Sequence, residues 1–453
     1  MARTRVVTPC ANGIWRCLVA IASGCFWPVA SGLGGAAEPA VPSSPSTWLE
    51  AQDKTGTTAE SEQAVELALR WLAEHQYPNG GWSFDHRRGR CQGQCSEPGS
   101  LANAVNGATG LAVLPFICHG NTHASGPYRD NVAAGLRFLV LRIGPDGAFW
   151  EDSGTLYSHA LALWALCEDC RIAAETPGLS AEIAAASDET TRPPAEQPSV
   201  VETPQPPRNS AARPVRAKPQ PPPRSTANVA TPASPPDATT LIRAAATKAL
   251  VYTLNAQDPS GGGWRYKPRQ RGDTSVTGWQ VVALYSATKA NFPVPPQAAV
   301  GVTGFLNSVQ SNYGATYGYV NATPTPVCSS IGLLCRIYTG WEREQPGLQA
   351  GVTLLARQGP SEQDMYYNYY ATLVLHHVGG PLWEDWHQKL REYLIRTQSR
   401  VGHEMGSWSF RGGHGAGSGG RLYNTALACL ILETAYRSKS VYTPAAQPPP
   451  VDR

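Results

Sequence analysis

Gln76-Tyr77-Pro78-Asn79-Gly80-Gly81-Trp82-Ser83-Phe84 closes a helical segment with a glutamine, turns through glycines that carry aromatics, and leads to an apolar run of small residues. The pattern returns three times. Gln257 leads to Gly261-Gly262-Gly263-Trp264-Arg265-Tyr266, Gln310 to Tyr317-Gly318-Tyr319, and Gln398 to Gly406-Ser407-Trp408-Ser409-Phe410. Weaker copies stand at Gly144-Pro145-Asp146-Gly147-Ala148-Phe149 and after Gln358, making six units. Gln257, Gln310, Gln358 and Gln398 lie 53, 48 and 40 residues apart, the size of helical hairpins in a repeat.

Each unit supplies two helices of different character. The first carries one apolar stripe, as in Val302, Phe305, Leu306 and Val309, or Trp386, Leu390, Tyr393 and Leu394. The second is apolar nearly all round, as in Thr425 to Leu432. A striped helix can face water, whereas one apolar on every face must be buried. Six such hairpins predict an all-α double ring, with six outer helices around six inner ones.

The rest of the chain frames this body. Arg3, Arg5 and Arg16 precede an uncharged stretch ending in Gly35-Ala36-Ala37. Residues 1–37 therefore read as an export signal cleaved before Glu38, giving an extracytoplasmic protein, or as a segment retained as a membrane anchor. Residues 171–240 contain no aromatic and are rich in Pro, Ala, Ser and Thr, a composition that cannot offset its ordering entropy. That span reads as a disordered insert between ring segments 61–170 and 241–437, with a flexible segment at 38–60 and a tail at 438–453. The 37 Lys and Arg face 34 Asp and Glu, and three Arg fall within residues 1–37, leaving 34 of each sign. A balanced body excludes nucleic-acid binding driven by a basic face.

The Gln, Gly-Gly-Trp and Phe/Tyr pattern resembles the prenyltransferase and squalene oxidase repeat shared by terpenoid cyclases and protein prenyltransferase β subunits, the α/α-toroid superfamily. The resemblance covers nearly all the ordered chain. It implies a toroid of six inner and six outer helices with the active site in its central cavity, at one end of the inner helices. One toroid hosts unrelated chemistries, so the residues decide.

Zinc-dependent prenyl transfer is not expected. Asp364-Met365-Tyr366-Tyr367 resembles the Asp-x-Cys-Tyr stretch that supplies zinc ligands in prenyltransferases, with Tyr366 in place of Cys. Arg421-Leu422-Tyr423-Asn424-Thr425 resembles their Asp-Phe-Tyr-His-Thr stretch, with Asn424 in place of His. Phenol and carboxamide do not substitute for thiolate and imidazole. No metal is assigned to the cavity, and no cofactor is implied.

The cyclases require an acid that protonates an alkene or epoxide. Gly272-Asp273-Thr274-Ser275-Val276-Thr277-Gly278 resembles the acid motif of oxidosqualene cyclases, with Asp273 at the acid position. Asp273 equally suits an N-cap, where helix dipole and backbone N–H groups are expected to lower its pKa. About 310 residues of repeat make one barrel, where those cyclases have two.

Trp279, Asp364, Tyr366, Tyr367, Arg421, Tyr423 and Asn424 are the candidate cavity residues, with Arg411 and His414 in the Gly-rich loop before the last inner helix. The expected ligand is an isoprenoid or other lipidic molecule, turned over by acid-catalysed cyclisation or isomerisation if Asp273 is the acid. A polysaccharide-binding or lyase toroid, using the Tyr and Asn of 366–370 with His376, is the alternative, as is a non-catalytic interaction module. No protein partner is identified. Export favours a disulfide between Cys91 and Cys95, while His86 beside them leaves zinc as a second reading.

Overall fold

The computed structural model describes residues 58–151, 153–175, 237–437 and 440–442. The expected export signal, nearly all of the expected flexible segment, insert residues 176–236 and most of the tail lie outside the described residues.

Twelve helices are present among the described residues: α1 (Ala59–Glu74), α2 (Val105–Cys118), α3 (Arg129–Arg142), α4 (Thr155–Glu175), α5 (Ala238–Ala256), α6 (Thr274–Lys289), α7 (Pro296–Val309), α8 (Pro326–Tyr338), α9 (Pro346–Gln358), α10 (Met365–Val378), α11 (Pro381–Thr397) and α12 (Ala416–Arg437). A two-residue hairpin, β1 (Gln310–Ser311) with β2 (Thr316–Tyr317), is antiparallel with Gln310 opposite Tyr317. Helix α4 runs past the expected boundary at 170, because Ala173 still packs in the core. Helix α5 starts before 241, because Asp237 caps it by accepting from the Thr240 N–H. Thr58 and Ser61 likewise form a capping box that starts α1 ahead of residue 61.

The even-numbered helices close a ring: α2 packs on α4, α4 on α6, α6 on α8, α8 on α10, α10 on α12, and α12 back on α2. The odd-numbered helices lie outside, each against the two inner helices that flank it. Burial follows the sequence pattern. Every residue of α2 from Asn106 to Ile117 is buried, whereas α1 buries one stripe, Ala64, Val65, Ala68, Leu69, Trp71 and Leu72. The fold is therefore an all-α toroid with six inner and six outer helices.

The recurring turns explain how neighbouring hairpins are joined. The tryptophan, fully buried at 82, 264 and 408, donates its indole N–H to the last turn of its own outer helix: Trp82 to the Leu72 carbonyl at 2.8 Å, Trp264 to Thr253 at 2.9 Å, Trp408 to Leu394 at 2.8 Å. Its backbone N–H donates to a hydroxyl on the following inner helix, Thr109, Thr277 or Thr425. Burying 150–250 Å² per aromatic at about 25 cal/mol per Å² is worth roughly 4–6 kcal/mol before entropy is counted.

The glutamine spans to the next unit. Gln76 donates to the Gly80 carbonyl and to Asn131 of α3, Gln257 to Gly262 and Ala298 of α7, and Gln398 to Gly406 and Ala64 of α1. The third of these links the last hairpin to the first and closes the ring. Gly406 has φ +93°, and a Cβ there would lie 2.2 Å from the Leu67 carbonyl oxygen of α1. Only glycine permits both the backbone angle and the approach.

Candidate ligand cavity

All six inner helices begin at the same end of the ring, and a cavity of about 240 Å³ opens there. Its walls come from their first turns and from the turns that precede them. Phe84, Tyr266 and Tyr319, each two residues beyond the buried aromatic of its turn, line it. Trp279 of α6 and Tyr366 of α10 form its inner wall, with Tyr157 of α4 and Tyr423 of α12 beside them. Below Trp279 the bore is filled: Tyr369 stacks on it at 5.6 Å between ring centroids, Tyr370 meets it edge-on at 5.4 Å, and Trp164 lies 6.0 Å away. The cavity is thus a cup rather than a channel.

The polar atoms of the wall are largely tied to one another. The Tyr266 and Tyr319 hydroxyls share a hydrogen bond of 2.7 Å. Tyr366 donates to the Ser275 carbonyl at 3.4 Å, and Tyr423 to the His414 carbonyl at 3.1 Å. Thr325, Asp273 and Asp364 cap α8, α6 and α10 with their side chains, satisfying N–H groups that would otherwise point at the opening. What the cup presents is mostly ring faces and methyl groups.

Of the sequence candidates, Trp279, Tyr366 and Tyr423 line the cavity. Asp364 reaches the rim only through His414, which lines the cavity and holds the Asp364 carboxylate from Nδ1 at 2.6 Å. That hydrogen bond keeps the His414 pKa above its usual value. The other candidates are not among the lining residues. Tyr367 packs edge-on against Trp386 of the outer helix α11. Asn424 is buried and donates to the Phe410 carbonyl. Arg421 is buried in an ion pair with Glu404 at 2.9 Å and bonds to Ser96 and Ser407. It is a structural clamp, because its charge is already compensated away from the cup. Arg411 pairs with Glu97 at 2.5 Å and stays exposed.

Asp273 lies outside the wall, completely buried, with Oδ1 accepting from the Val276 N–H at 2.8 Å and Oδ2 3.5 Å from Arg265 Nε. Burial pushes its pKa up to about 6, outweighing the Val276 N–H, the Tyr319 hydroxyl and the Arg265 guanidinium, which all pull it down. This corrects the expectation of a lowered pKa: a helix N-terminus does favour the carboxylate, but desolvation at this depth is larger.

The expected Cys91–Cys95 disulfide is absent; both are free, buried thiols. Cys95 Sγ instead lies 3.4 Å from His75 Nε2 and 3.1 Å from His403 Nδ1. Among solved structures the chain is similar to a type II terpene cyclase, MstE from Scytonema. A single-residue variant of that enzyme, in complex with its product merosterolic acid A, aligns over 84% of this chain and 98% of its own at 11% identity and a TM-score of 0.45. The apo enzyme aligns over 84% and 99% at 10% identity and the same score. At such scores the likeness carries neither an activity nor a substrate to this chain, whose toroid is established by its own helix packing. No protein-family model matches the sequence, and no curated protein matches it.

The buried aromatics of the turns were legible in the sequence, but the cup they help build was not. Phe84, Tyr266 and Tyr319 were visible as the last aromatic of each motif, but alternation along an extended segment puts residues two apart on one face, so the pattern offered no reason to separate them from the buried aromatic before them.

Proposed function

We propose that the cup binds an isoprenoid or other lipidic molecule, end first. One observation carries this reading: the lining is built mostly from aromatic faces whose hydroxyls are engaged by one another or by backbone carbonyls, so an apolar ligand displaces water at little cost in unpaired polar groups. At about 240 Å³ the cup lies below the roughly 300–1,000 Å³ of pockets that enclose a whole small molecule. It therefore suits a short isoprenoid, or one end of a longer lipid whose remainder stays outside. A sugar polymer would need a groove of convergent Arg, Tyr and His; here no arginine is among the described lining residues, and Arg411 and Arg421 are paired with carboxylates outside the lining.

In this reading Asp273 is a cap and not a proton donor, since both its oxygens face protein groups behind the wall. The protein is then a lipid-binding toroid, exported by residues 1–37 and acting outside the cytoplasm. Quenching of intrinsic fluorescence by geranylgeraniol tests it. Saturable binding to the wild type is expected, with at least a tenfold loss in Ser275→Trp, which fills the cup from α6. Tyr367→Phe, on the outward side of α10, should bind as the wild type does. Absence of binding of geranylgeraniol, farnesol and squalene to the wild type would sink the reading.

A further inference from the structure

We propose that His75, Cys91, Cys95 and His403 form a structural zinc site that fastens the first hairpin of the ring to the last. Their donor atoms, one from each residue, all lie within 4.8 Å of one another. Tetrahedral zinc, with bonds of about 2.3 Å to sulfur and 2.0–2.1 Å to nitrogen, sets neighbouring ligand atoms about 3.5 Å apart. The separations from Cys95 Sγ to His75 Nε2 and His403 Nδ1, 3.4 and 3.1 Å, are of that size. Two thiols and two imidazoles exclude calcium and magnesium, which take oxygen ligands, and suit zinc.

The surroundings are those of a metal site. His75 Nδ1 lies 2.6 Å from the Trp71 carbonyl, so that nitrogen carries the proton and Nε2 turns its lone pair toward the sulfurs, as a carbonyl behind a ligating histidine arranges. The Cys95 backbone N–H donates to Cys91 Sγ at 3.3 Å, a contact that stabilises a thiolate. Four protein donors leave no open position, which distinguishes a structural site from a catalytic one.

The four residues come from both ends of the ring. His75 follows the last turn of α1, Cys91 and Cys95 lie between α1 and α2, and His403 lies between α11 and α12. The residues next to the ligands are cross-braced: Ser96 donates from its backbone N–H and its hydroxyl to Glu404 Oε1, both at 2.7 Å, and Arg421 binds Glu404 and Ser96 together. A zinc ion here closes a loop of more than 300 residues and fixes the segment that carries Phe84 and Leu101 to the cup. His86, the histidine next to the cysteines in sequence, is not one of the donors; it packs edge-on against His75 and Trp71.

The full-length protein, produced with zinc in the medium and purified without chelator, should hold one zinc per chain by elemental analysis. Exchange for cobalt should give thiolate-to-cobalt charge transfer and the intense visible bands of a tetrahedral site. His403→Asn, on the partly exposed loop, should weaken zinc by more than the roughly 100-fold that loss of a second-shell partner costs, while His86→Asn retains it. Zinc removal should lower the melting temperature of the wild type and leave that of His403→Asn unchanged. Loss of two hydrogens between Cys91 and Cys95 in the isolated protein, a chain free of zinc that gains no cobalt bands on titration, or full retention of metal by His403→Asn would each overturn the proposal. None of these readouts depends on lipid binding.

Discussion

At the scale of single residues, the toroid places charged groups where burial dominates. Asp273 is the sharpest case, and its consequence for stability has a definite sign. Its folded pKa of about 6 stands above the ordinary 3.8, so the native state holds the proton more tightly than the unfolded chain between those values. The stabilising contribution is complete below pH 3.8 and is lost as pH rises through 6. Two pKa units correspond to about 3 kcal/mol. Asn caps a helix about as well as Asp and carries no charge. Asp273→Asn should therefore gain up to about 3 kcal/mol on the wild type between about pH 4 and pH 7 in urea denaturation; a variant that loses ground over that interval would refute the assignment. The sequence offered Asp273 as a cap but not its depth, which depends in part on Tyr319 of the following repeat.

At the scale of elements, the turn is the unit that makes helices into a ring. Each strong copy assigns its glutamine to the neighbour, its glycine to close approach and its tryptophan to the joint between its outer helix and the next inner one. Gly406 and Gly402 separate two of these costs, since both have positive φ but only Gly406 meets another backbone. Gly402→Ala should cost about 1–2 kcal/mol from its left-handed angle alone, and Gly406→Ala distinctly more, measured by chemical denaturation. Equal losses would mean that the approach to Leu67 is unimportant. Gln398→Ala removes two hydrogen bonds, to the Ala64 and Gly406 carbonyls, for about 1–3 kcal/mol, and should raise hydrogen exchange in α1 and α12 ahead of the other helices. Helix type and order were legible in the apolar patterns, and the motif's recurrence was legible too. What each residue of the motif touches was not, since its partner is always on another helix. The zinc ligands illustrate the same limit: Cys91 and Cys95 stand out as a pair, but nothing in the sequence near His403 ties it to residues more than 300 positions earlier.

At the scale of the whole molecule, α4 and α5 pack directly on each other although residues 176–236 separate them in sequence. Proteolytic cleavage near Pro221 should leave the two fragments co-eluting and melting in one transition, because each alone exposes the apolar faces that the other covers. Two separate transitions would contradict the single ring. Closure also orders events in time. The cup takes its walls from hairpins at both ends of the chain, and Gln398 reaches back to α1 and His403 to the segment after it, each made hundreds of residues earlier. A ribosome must therefore release nearly the entire polypeptide before the cup exists. Until then α1 and α2 wait with their α12-facing sides uncovered. A chain stopped anywhere before α12 leaves those apolar faces uncovered and the cup without its last wall.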